Sequence, residues 1–269
     1  MVTARKLDRN TIIQAIVKAL KPLDYVYAFW EGGAAAWNRI DEWSDIDLYL
    51  AVNDEKVEEA FFATEKALES LSPIKQKYDV PQTTWPDASQ AFYKLAKTSE
   101  YLIIDLCILK LRSKEKFLEP EIHGNNVFYF NKGNRVKHPI LDKAAFVSKL
   151  HKRLERLRAR FDTFNVFVQK EINRGNYIEA TDLYHGLTIA LLTEALRIKH
   201  NPIHYDFKTR YVHYELPPET VKKLQSLCFV ENAKDLQEKY DQATKWFSKT
   251  MSEIGRKEIE KLVKSGSIR

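Results

Sequence analysis

Apolar residues near the N-terminus recur at helical spacing in two separate stretches. In residues 10–20 and 57–71 they fall on one side of a helix, and polar residues fall on the other. Asn10 and Asp54 stand at the start of these stretches and are of the residue types that cap helix N-termini. The sequence therefore predicts two amphipathic helices, one capped by Asn10 and the other by Asp54.

A shorter apolar period marks strands in the same half of the chain. The aromatic and aliphatic run that begins at Tyr25 is of a length typical of a buried strand. Residues 74–110 are predicted to be rich in β-structure, with residues 90–96 and 101–110 paired as a hairpin. Residues 126–136 predict a short strand, a Lys-Gly turn and a second short strand.

The second half of the chain has only the helical period. We expect a long helix that Asp142 caps and Gly175 ends, and a second helix over residues 177–199. Two more helices are predicted around residues 221–227 and 236–262. Short connections between long helices make antiparallel neighbours, which predicts a small helical bundle.

Pro139 interrupts the chain between the two halves. A proline at a change of period is typical of a domain boundary. We therefore predict two domains, residues 1–139 and residues 140–269.

Composition narrows the functional class only slightly. The 269 residues contain two cysteines without zinc-ligand spacing and no apolar run long enough for a membrane span. The N-terminus also lacks the apolar core of a signal peptide, so a reducing, cytoplasmic location is expected. A net charge of +6 suits polyanionic ligands but does not separate a nucleotide from a nucleic acid.

The most informative stretch is residues 25–50, which contains a strand, a glycine turn and two acids. Gly32 and Gly33 allow a tight turn and a close approach to a ligand. Asp45 and Asp47 alternate with apolar residues, so in a strand both acids point to one face. Two neighbouring carboxylates repel each other unless a cation binds between them, and Mg²⁺ prefers such oxygen ligands. The simpler alternative is a tight turn followed by a strand whose acids are only solvated.

A third acid, Asp105, lies in the middle of an apolar strand pattern. An acid in such a position is costly unless it is paired or bound to a metal ion. The alternative is an aspartate on the solvated face of an edge strand.

These motifs resemble the nucleotidyltransferase superfamily of DNA polymerase beta. Its signature is a strand, a Gly-Gly or Gly-Ser turn and Asp-x-Asp about ten residues later, followed by a third carboxylate on a later strand. Aminoglycoside and lincosamide antibiotic nucleotidyltransferases are the members closest in style. The resemblance implies an α+β fold: an N-terminal mixed β-sheet domain flanked by helices, followed by a C-terminal all-α bundle that binds the acceptor.

The resemblance also implies the chemistry, which is transfer of a nucleoside monophosphate from a nucleoside triphosphate to a hydroxyl of a small acceptor, with release of pyrophosphate. Asp45, Asp47 and Asp105 would bind two Mg²⁺ ions, and Gly32, Gly33 and Ser44 would bind the nucleotide, with ATP as the expected co-substrate. Many members have serine where this chain has Gly33, so a hydroxyl contact to phosphate is missing here. A homodimer is left open, because the family often dimerises, and neither a nucleic acid nor a membrane partner is expected.

The helical half offers fewer specific signals. Glu179 and Asp182 lie three residues apart on a predicted helix, where either could act as the general base toward the acceptor hydroxyl. Polar exposure explains them equally well. The basic run in residues 149–160 could meet RNA, although a solvated helix face is the simpler interpretation.

Two other functions fit the same sequence. One is a catalytically silent, antitoxin-like binding module with the same fold, which would have no need to keep three like charges together. The other is an RNA-terminal nucleotidyltransferase, against which the lack of an aromatic and basic surface argues.

Overall fold

The computed structural model describes residues 7–81 and 85–266 of the chain. The chain divides into two compact units, Met1–Ile140 and Leu141–Arg269, called the first and second units below. The assignment of catalysis to the first unit and of acceptor binding to the second stays a prediction.

The first unit is built on a six-stranded mixed sheet with the strand order β3-β4-β5-β2-β1-β6. The central pair β2 and β5 is parallel, and the other neighbouring pairs are antiparallel. The strands are β1 (Val26–Glu31), β2 (Ile46–Val52), β3 (Ile74–Asp79), β4 (Ala88–Leu95), β5 (Ile104–Lys110) and β6 (Val127–Asn131).

Two amphipathic helices, α1 (Arg9–Leu20) and α3 (Val57–Leu71), pack on one face of this sheet. Their buried stripes include Ile12, Ile16 and Leu68, which join the inward residues of the central strands in one core. Burial of this apolar surface is the main favourable term in the stability of the unit. Two single-turn helices, α2 (Gly33–Ala36) and α4 (Pro120–His123), lie in the connections.

The opposite face of the sheet carries a smaller apolar cluster that is rich in aromatic rings. Trp30 stacks on Tyr49 at 5.7 Å and on Phe128 at 5.4 Å between ring centroids. Cys107 and Leu109 of β5 are buried in the same cluster. The carboxylates of the candidate site share this face, as described below.

The second unit is all-α in its described residues, apart from turns. Its helices are α5 (Lys143–Phe164), α6 (Val166–Arg174), α7 (Tyr177–Leu183), α8 (Ala190–His200), α9 (Val212–Glu215), α10 (Pro218–Cys228), α11 (Ala233–Glu253) and α12 (Arg256–Ser265). A π-helical turn, Tyr184–Ile189, joins α7 to α8. The predicted α+β class, with a mixed sheet followed by a helical region, is confirmed.

Both predicted caps in the first unit are wrong. Helix α1 begins one residue earlier than expected, and the carboxylate of Asp8 accepts a hydrogen bond from Thr11 N at 2.9 Å. Helix α3 begins at Val57 without a side-chain cap. Asp54 instead accepts a hydrogen bond from Arg112 N at 3.3 Å. The carboxylate that was expected to cap α3 therefore binds a residue that is distant in sequence.

The strand pattern of residues 74–110 is confirmed, because β4 and β5 form the expected antiparallel pair. The second strand expected near residue 136 is wrong. After β6 the chain forms a 3₁₀ turn, Lys132–Asn134, with positive φ at Gly133 and Asn134. The Asn131 side chain closes this turn by donating to Val136 O at 2.6 Å, which leaves no room for a paired strand.

Two of the predicted long helices are each divided in two. The first is divided at Asn165, which is buried. Its side-chain Nδ2 donates to Thr244 Oγ1 at 3.1 Å, and its side-chain Oδ1 accepts from Thr188 Oγ1 at 2.6 Å. The last is divided at Ile254 and Gly255, which have extended backbone angles. No helix in residues 7–81 or 85–266 is long and apolar enough to cross a membrane.

Candidate functional site

The parallel pairing of β2 and β5 brings together two acids that are far apart in sequence. Asp47 and Asp105 are register partners on these strands. Their neighbours Ile46 and Ile104 point into the core beneath α1 and α3. Because strand side chains alternate, the two carboxylates lie side by side on the opposite face.

Asp45 lies one residue before β2, at the same end of the sheet. Its backbone neighbour is fixed by the hydrogen bond from Ile46 N to Ile103 O at 2.9 Å. Its carboxylate accepts a hydrogen bond from Ile103 N at 3.3 Å, across to the chain that enters β5. The three predicted aspartates therefore stand at one end of two adjacent parallel strands, although their role as metal ligands stays a prediction.

The glycine turn packs directly against Asp47. Gly32 N donates to Asp47 O at 2.9 Å, and Gly33 has a φ of +54°. A Cβ atom on Gly33 would lie 1.8 Å from Oδ2 of Asp47. A side chain at this position would be strained by the positive φ and would require Asp47 to move, which gives the glycine here a steric reason.

Burial raises the pKa of two of the three carboxylates, and charge repulsion adds to this effect at Asp105. Burial and, to a smaller degree, the charges of Asp47 and Asp45 raise the pKa of Asp105 to about 6, although a hydrogen bond from Gln90 Nε2 at 2.7 Å partly offsets them. Burial likewise raises the pKa of Asp45. A bound cation would relieve both effects. The donor set, in which the charges of two carboxylates disfavour ionisation of the third, is therefore chemically suited to Mg²⁺.

A network of buried hydrogen bonds and one ion pair, which was not predicted from the sequence, lies at the same end of the sheet. Arg9 of α1 donates through Nη1 to Asp45 O at 2.7 Å and forms an ion pair with Glu31, the last residue of β1. Glu31 is 2% exposed and also accepts a hydrogen bond from the Tyr129 hydroxyl. Glu31 immediately precedes Gly32, so the network connects the glycine turn to Asp45.

Neither this network nor the role of Gln90 was predicted from the sequence. A single arginine at the start of a helix has no distinctive pattern, and Gln90 lies on a strand of ordinary composition. Only Glu31, an acid at the end of an apolar strand, carried a signal that could have been followed.

Ser44, predicted to contact the nucleotide, closes a turn before Asp45. Its hydroxyl donates to Asp41 Oδ1 at 2.7 Å and accepts from Asp41 N at 2.9 Å. These hydrogen bonds give Ser44 a structural role that does not require a bound nucleotide. Nucleotide binding by Ser44 stays a prediction.

Glu179 and Asp182, the predicted general bases, lie on α7 of the second unit. Both side chains are exposed, and a polar surface residue would look the same. Their catalytic role stays a prediction.

A further cluster of ionisable side chains lies after β5, outside the predicted site. One donor atom from each of Glu115, Glu119 and His123 lies within 4.8 Å of the other two. Within the described residues, these three side chains have donor atoms close enough together to hold a metal ion by this 4.8 Å criterion, whereas the three aspartates do not.

Comparison with known proteins gives matches among solved structures alone. No protein-family model and no curated protein matches the chain. One structural match is an aminoglycoside 6-adenyltransferase from Bacillus subtilis, with 12% sequence identity, 97% of this chain and 98% of that chain covered, and a TM-score of 0.34. Another is a spectinomycin adenyltransferase from Enterococcus faecialis, solved with ATP and spectinomycin, with 11% identity, 90% and 100% coverage, and a TM-score of 0.38.

Both matched structures are nucleotidyltransferases, the class that the sequence resemblance implied. Their identities and TM-scores are low, and we therefore base the function of this chain on its own residues.

Proposed function

We propose that this protein transfers a nucleoside monophosphate from a nucleoside triphosphate, with ATP as the first candidate, to a hydroxyl of a small-molecule acceptor. The observation that carries the proposal is the register pairing of Asp47 with Asp105 on adjacent parallel strands, beside Asp45. A buried aspartate whose pKa is raised by burial and by two neighbouring carboxylates is a poor arrangement for stability, which favours a catalytic role over a structural one.

The glycine turn would position the triphosphate. Gly32 N already donates to Asp47 O, so the phosphate oxygens would be bound by the N–H groups that follow it at the start of α2. The close packing of Gly33 on Asp47 would keep the phosphates next to the acids. The hydrogen bonds of Arg9 would hold the backbone of Asp45 in place.

The proposed site would hold two Mg²⁺ ions. Asp45 and Asp47 would both contact the two ions, and Asp105 would contact only the ion nearer the acceptor. Mg²⁺ bound there would stabilise charge on the attacking and leaving oxygens of an in-line displacement. Gln90 would orient Asp105 through its hydrogen bond to Oδ1. Glu179 or Asp182 would accept the proton of the acceptor hydroxyl, so that a P–O bond forms as the bond to pyrophosphate breaks.

The test is pyrophosphate release from ATP, GTP, CTP and UTP with Mg²⁺ and a panel of acceptors that includes aminoglycosides and lincosamides. Asp47→Asn and Asp105→Asn are the test variants. Asp162→Asn, an exposed residue of α5, is the matched control. We expect acceptor-dependent release in the wild type and the control, and at least about a thousandfold less in the two test variants.

Release that Asp47→Asn leaves unchanged would refute the proposed site. A wild type that is folded but inactive with every acceptor would be tested for nucleotide binding by thermal shift. A shift that needs Mg²⁺ and is lost in Asp47→Asn would support the site with an untested acceptor, and no shift would favour a silent binding module.

A further inference from the structure

The segment between β5 and β6 brings two carboxylates and an imidazole together. Glu115, Glu119 and His123 follow one another at intervals of four residues, but only the last turn, α4, is helical. Each contributes one donor atom to a group in which all distances are within 4.8 Å. All three side chains are partly buried, so this is not a loose group of acids on an open surface.

One oxygen of this group lacks the partner that a buried atom needs. Glu119 Oε2 is fully buried and has no hydrogen bond within residues 7–81 and 85–266, and His123 Nε2 lies 3.8 Å from it. A separation of 3.8 Å is too long for a hydrogen bond. A buried carboxylate oxygen without a partner is costly.

The nearby charges do not supply the missing partner. Lys116 lies between the two glutamates in sequence, but its ammonium donates to backbone carbonyls, including that of Leu111 at 3.1 Å. Glu115 uses one oxygen to accept from Phe117 N at 2.9 Å. Burial raises the pKa of Glu119, as does the charge of Glu115, although hydrogen bonds from the backbone of Glu119 and Leu118 partly offset them. The group therefore has an excess of negative charge.

We propose that Glu115, Glu119 and His123 form a binding site for a divalent ion of the Zn²⁺ class, separate from the site of the three aspartates. An imidazole with two carboxylates is a donor set typical of Zn²⁺, whereas Mg²⁺ prefers oxygen ligands alone. Tetrahedral ligands at 2.0–2.2 Å from Zn²⁺ lie roughly 3.4 Å apart. From spacings of up to 4.8 Å, the donor atoms need to approach one another by at most about 1.4 Å, which side-chain rotation can supply.

A bound ion would stabilise the segment that contains His123, and the residues after His123 contact the glycine turn of the proposed nucleotide site. Gly124, next to His123, has a φ of +75°, and a Cβ atom there would lie 2.7 Å from Ala36 O at the end of α2. Asn125 N donates to the same carbonyl at 2.8 Å. Asn126 Oδ1 lies 3.0 Å from the position of a Cβ on Gly32. Zn²⁺ would thus stabilise the segment on which the glycine turn rests.

The test is calorimetric titration of the full-length protein with Zn²⁺ and with Mg²⁺. To remove binding by the aspartates, it is made in an Asp45→Asn/Asp47→Asn/Asp105→Asn background. We expect one Zn²⁺ per chain in this background and no comparable Mg²⁺ binding. Glu119→Gln and His123→Ala should each weaken Zn²⁺ binding at least about tenfold. His213→Ala, at an exposed histidine of the second unit, should leave it unchanged.

Thermal unfolding gives an independent readout. Zn²⁺ should raise the melting temperature of the background protein, and Glu119→Gln, which keeps the side-chain shape, should abolish the rise. Zn²⁺ binding that survives both Glu119→Gln and His123→Ala, or no Zn²⁺ binding at all, would overturn the proposal. Because the aspartates are absent from this experiment, its failure leaves the proposed transferase function untouched, and the reverse also holds.

Discussion

Gly33 and Asp47 are packed so closely that a single Cβ atom on the glycine would lie 1.8 Å from the Oδ2 atom of the aspartate. The glycine also has a φ of +54°, which side chains rarely tolerate. The close contact ties the turn to the first acidic strand, so the geometry of the turn and the position of the carboxylate depend on each other.

We predict that Gly33→Ala lowers transfer at least about a hundredfold, because displacement of a catalytic group by about 1 Å has that effect. Stability should fall by at least about 1 kcal/mol from the positive φ alone. Steady-state pyrophosphate release and urea unfolding measure the two effects.

The control for this change is Gly186→Ala, in the π-helical turn of the second unit. A Cβ there has no heavy atom within 4 Å, and φ is not positive. This variant should keep activity and stability. Full activity in Gly33→Ala would show that the turn does not position Asp47.

Asp105→Asn should make the protein more stable at pH 8 while it abolishes transfer. Burial raises the pKa of Asp105 to about 6 from an ordinary value of 3.8. Ionisation therefore costs more in the folded state, and the wild type loses stability as the pH rises from about 4 to about 6. One pKa unit corresponds to about 1.4 kcal/mol, so Asp105→Asn should raise the free energy of unfolding by up to about 3 kcal/mol above pH 6. Below pH 4 the substitution should give no such gain.

Unfolding of wild type and Asp105→Asn at pH 4 and pH 8 measures this difference. The amide of asparagine still offers an oxygen to Gln90, so the hydrogen bond at this position is kept. Asp162→Asn should show no such pH-dependent gain. A variant that is less stable than wild type at pH 8 would contradict the assigned cost of the carboxylate.

Removal of Arg9 should destabilise the first unit strongly. Arg9→Ala leaves Glu31, which is 2% exposed, as a buried carboxylate that still accepts a hydrogen bond from the hydroxyl of Tyr129 but has lost its ion pair. Breaking a buried ion pair on one side costs about 3–5 kcal/mol. Urea unfolding should show this loss.

A double variant separates the two roles of Arg9. Arg9→Ala/Glu31→Gln removes the unpaired charge and should recover part of the stability. It should not recover full activity, because Asp45 O still lacks its donor at 2.7 Å. Recovery of both together would mean that Arg9 only neutralises Glu31.

The second unit contains a comparable buried pair, Arg197 with Glu215 at 2.7 Å, whose side chains are 0% and 1% exposed. Arg197 also donates to the backbone carbonyls of Lys208 and Arg210. The carboxylate of Glu215 also lies 3.0 Å from His204 Nδ1 and accepts a hydrogen bond from Asn201 Nδ2 at 3.2 Å. Because these contacts remain, we predict that Arg197→Ala costs about 3 kcal/mol in the free energy of unfolding, the lower end of the range for a broken buried ion pair.

Arg153→Ala is the matched control, because Arg153 pairs with Glu194 through a side chain that is 33% exposed. A pair that water reaches is worth about 1 kcal/mol or less. Calorimetric unfolding of both variants tests the difference. Equal losses would show that burial does not set the contribution of these pairs.

The sequence alone determined the elements and the residue types of the candidate site. The helical stripes of α1 and α3 and the alternation around Asp47 were visible because each depends on positions a few residues apart. For the same reason the sequence placed Asp45 and Asp47 with apolar neighbours pointing to the other face. It also identified Gly33 as unusual, without the cause.

Local patterns failed where a distant contact competed for the same group. Asp54 does not cap α3, because it binds Arg112, and the long helix predicted after Asp142 is divided where Asn165 bonds to two other helices. Such contacts leave no trace in the spacing of neighbouring residues.

Only the tertiary structure placed Asp105 beside Asp47, because strand order and register are decided by packing of the whole sheet. It alone set the distance that forbids a side chain on Gly33, and it alone joined Arg9 to Asp45 O. The same holds for Glu115, Glu119 and His123, whose spacing is helical although most of the segment is not. Residue types and periods are local properties of a chain, whereas the distances between catalytic groups depend on how separate elements bury their apolar faces together.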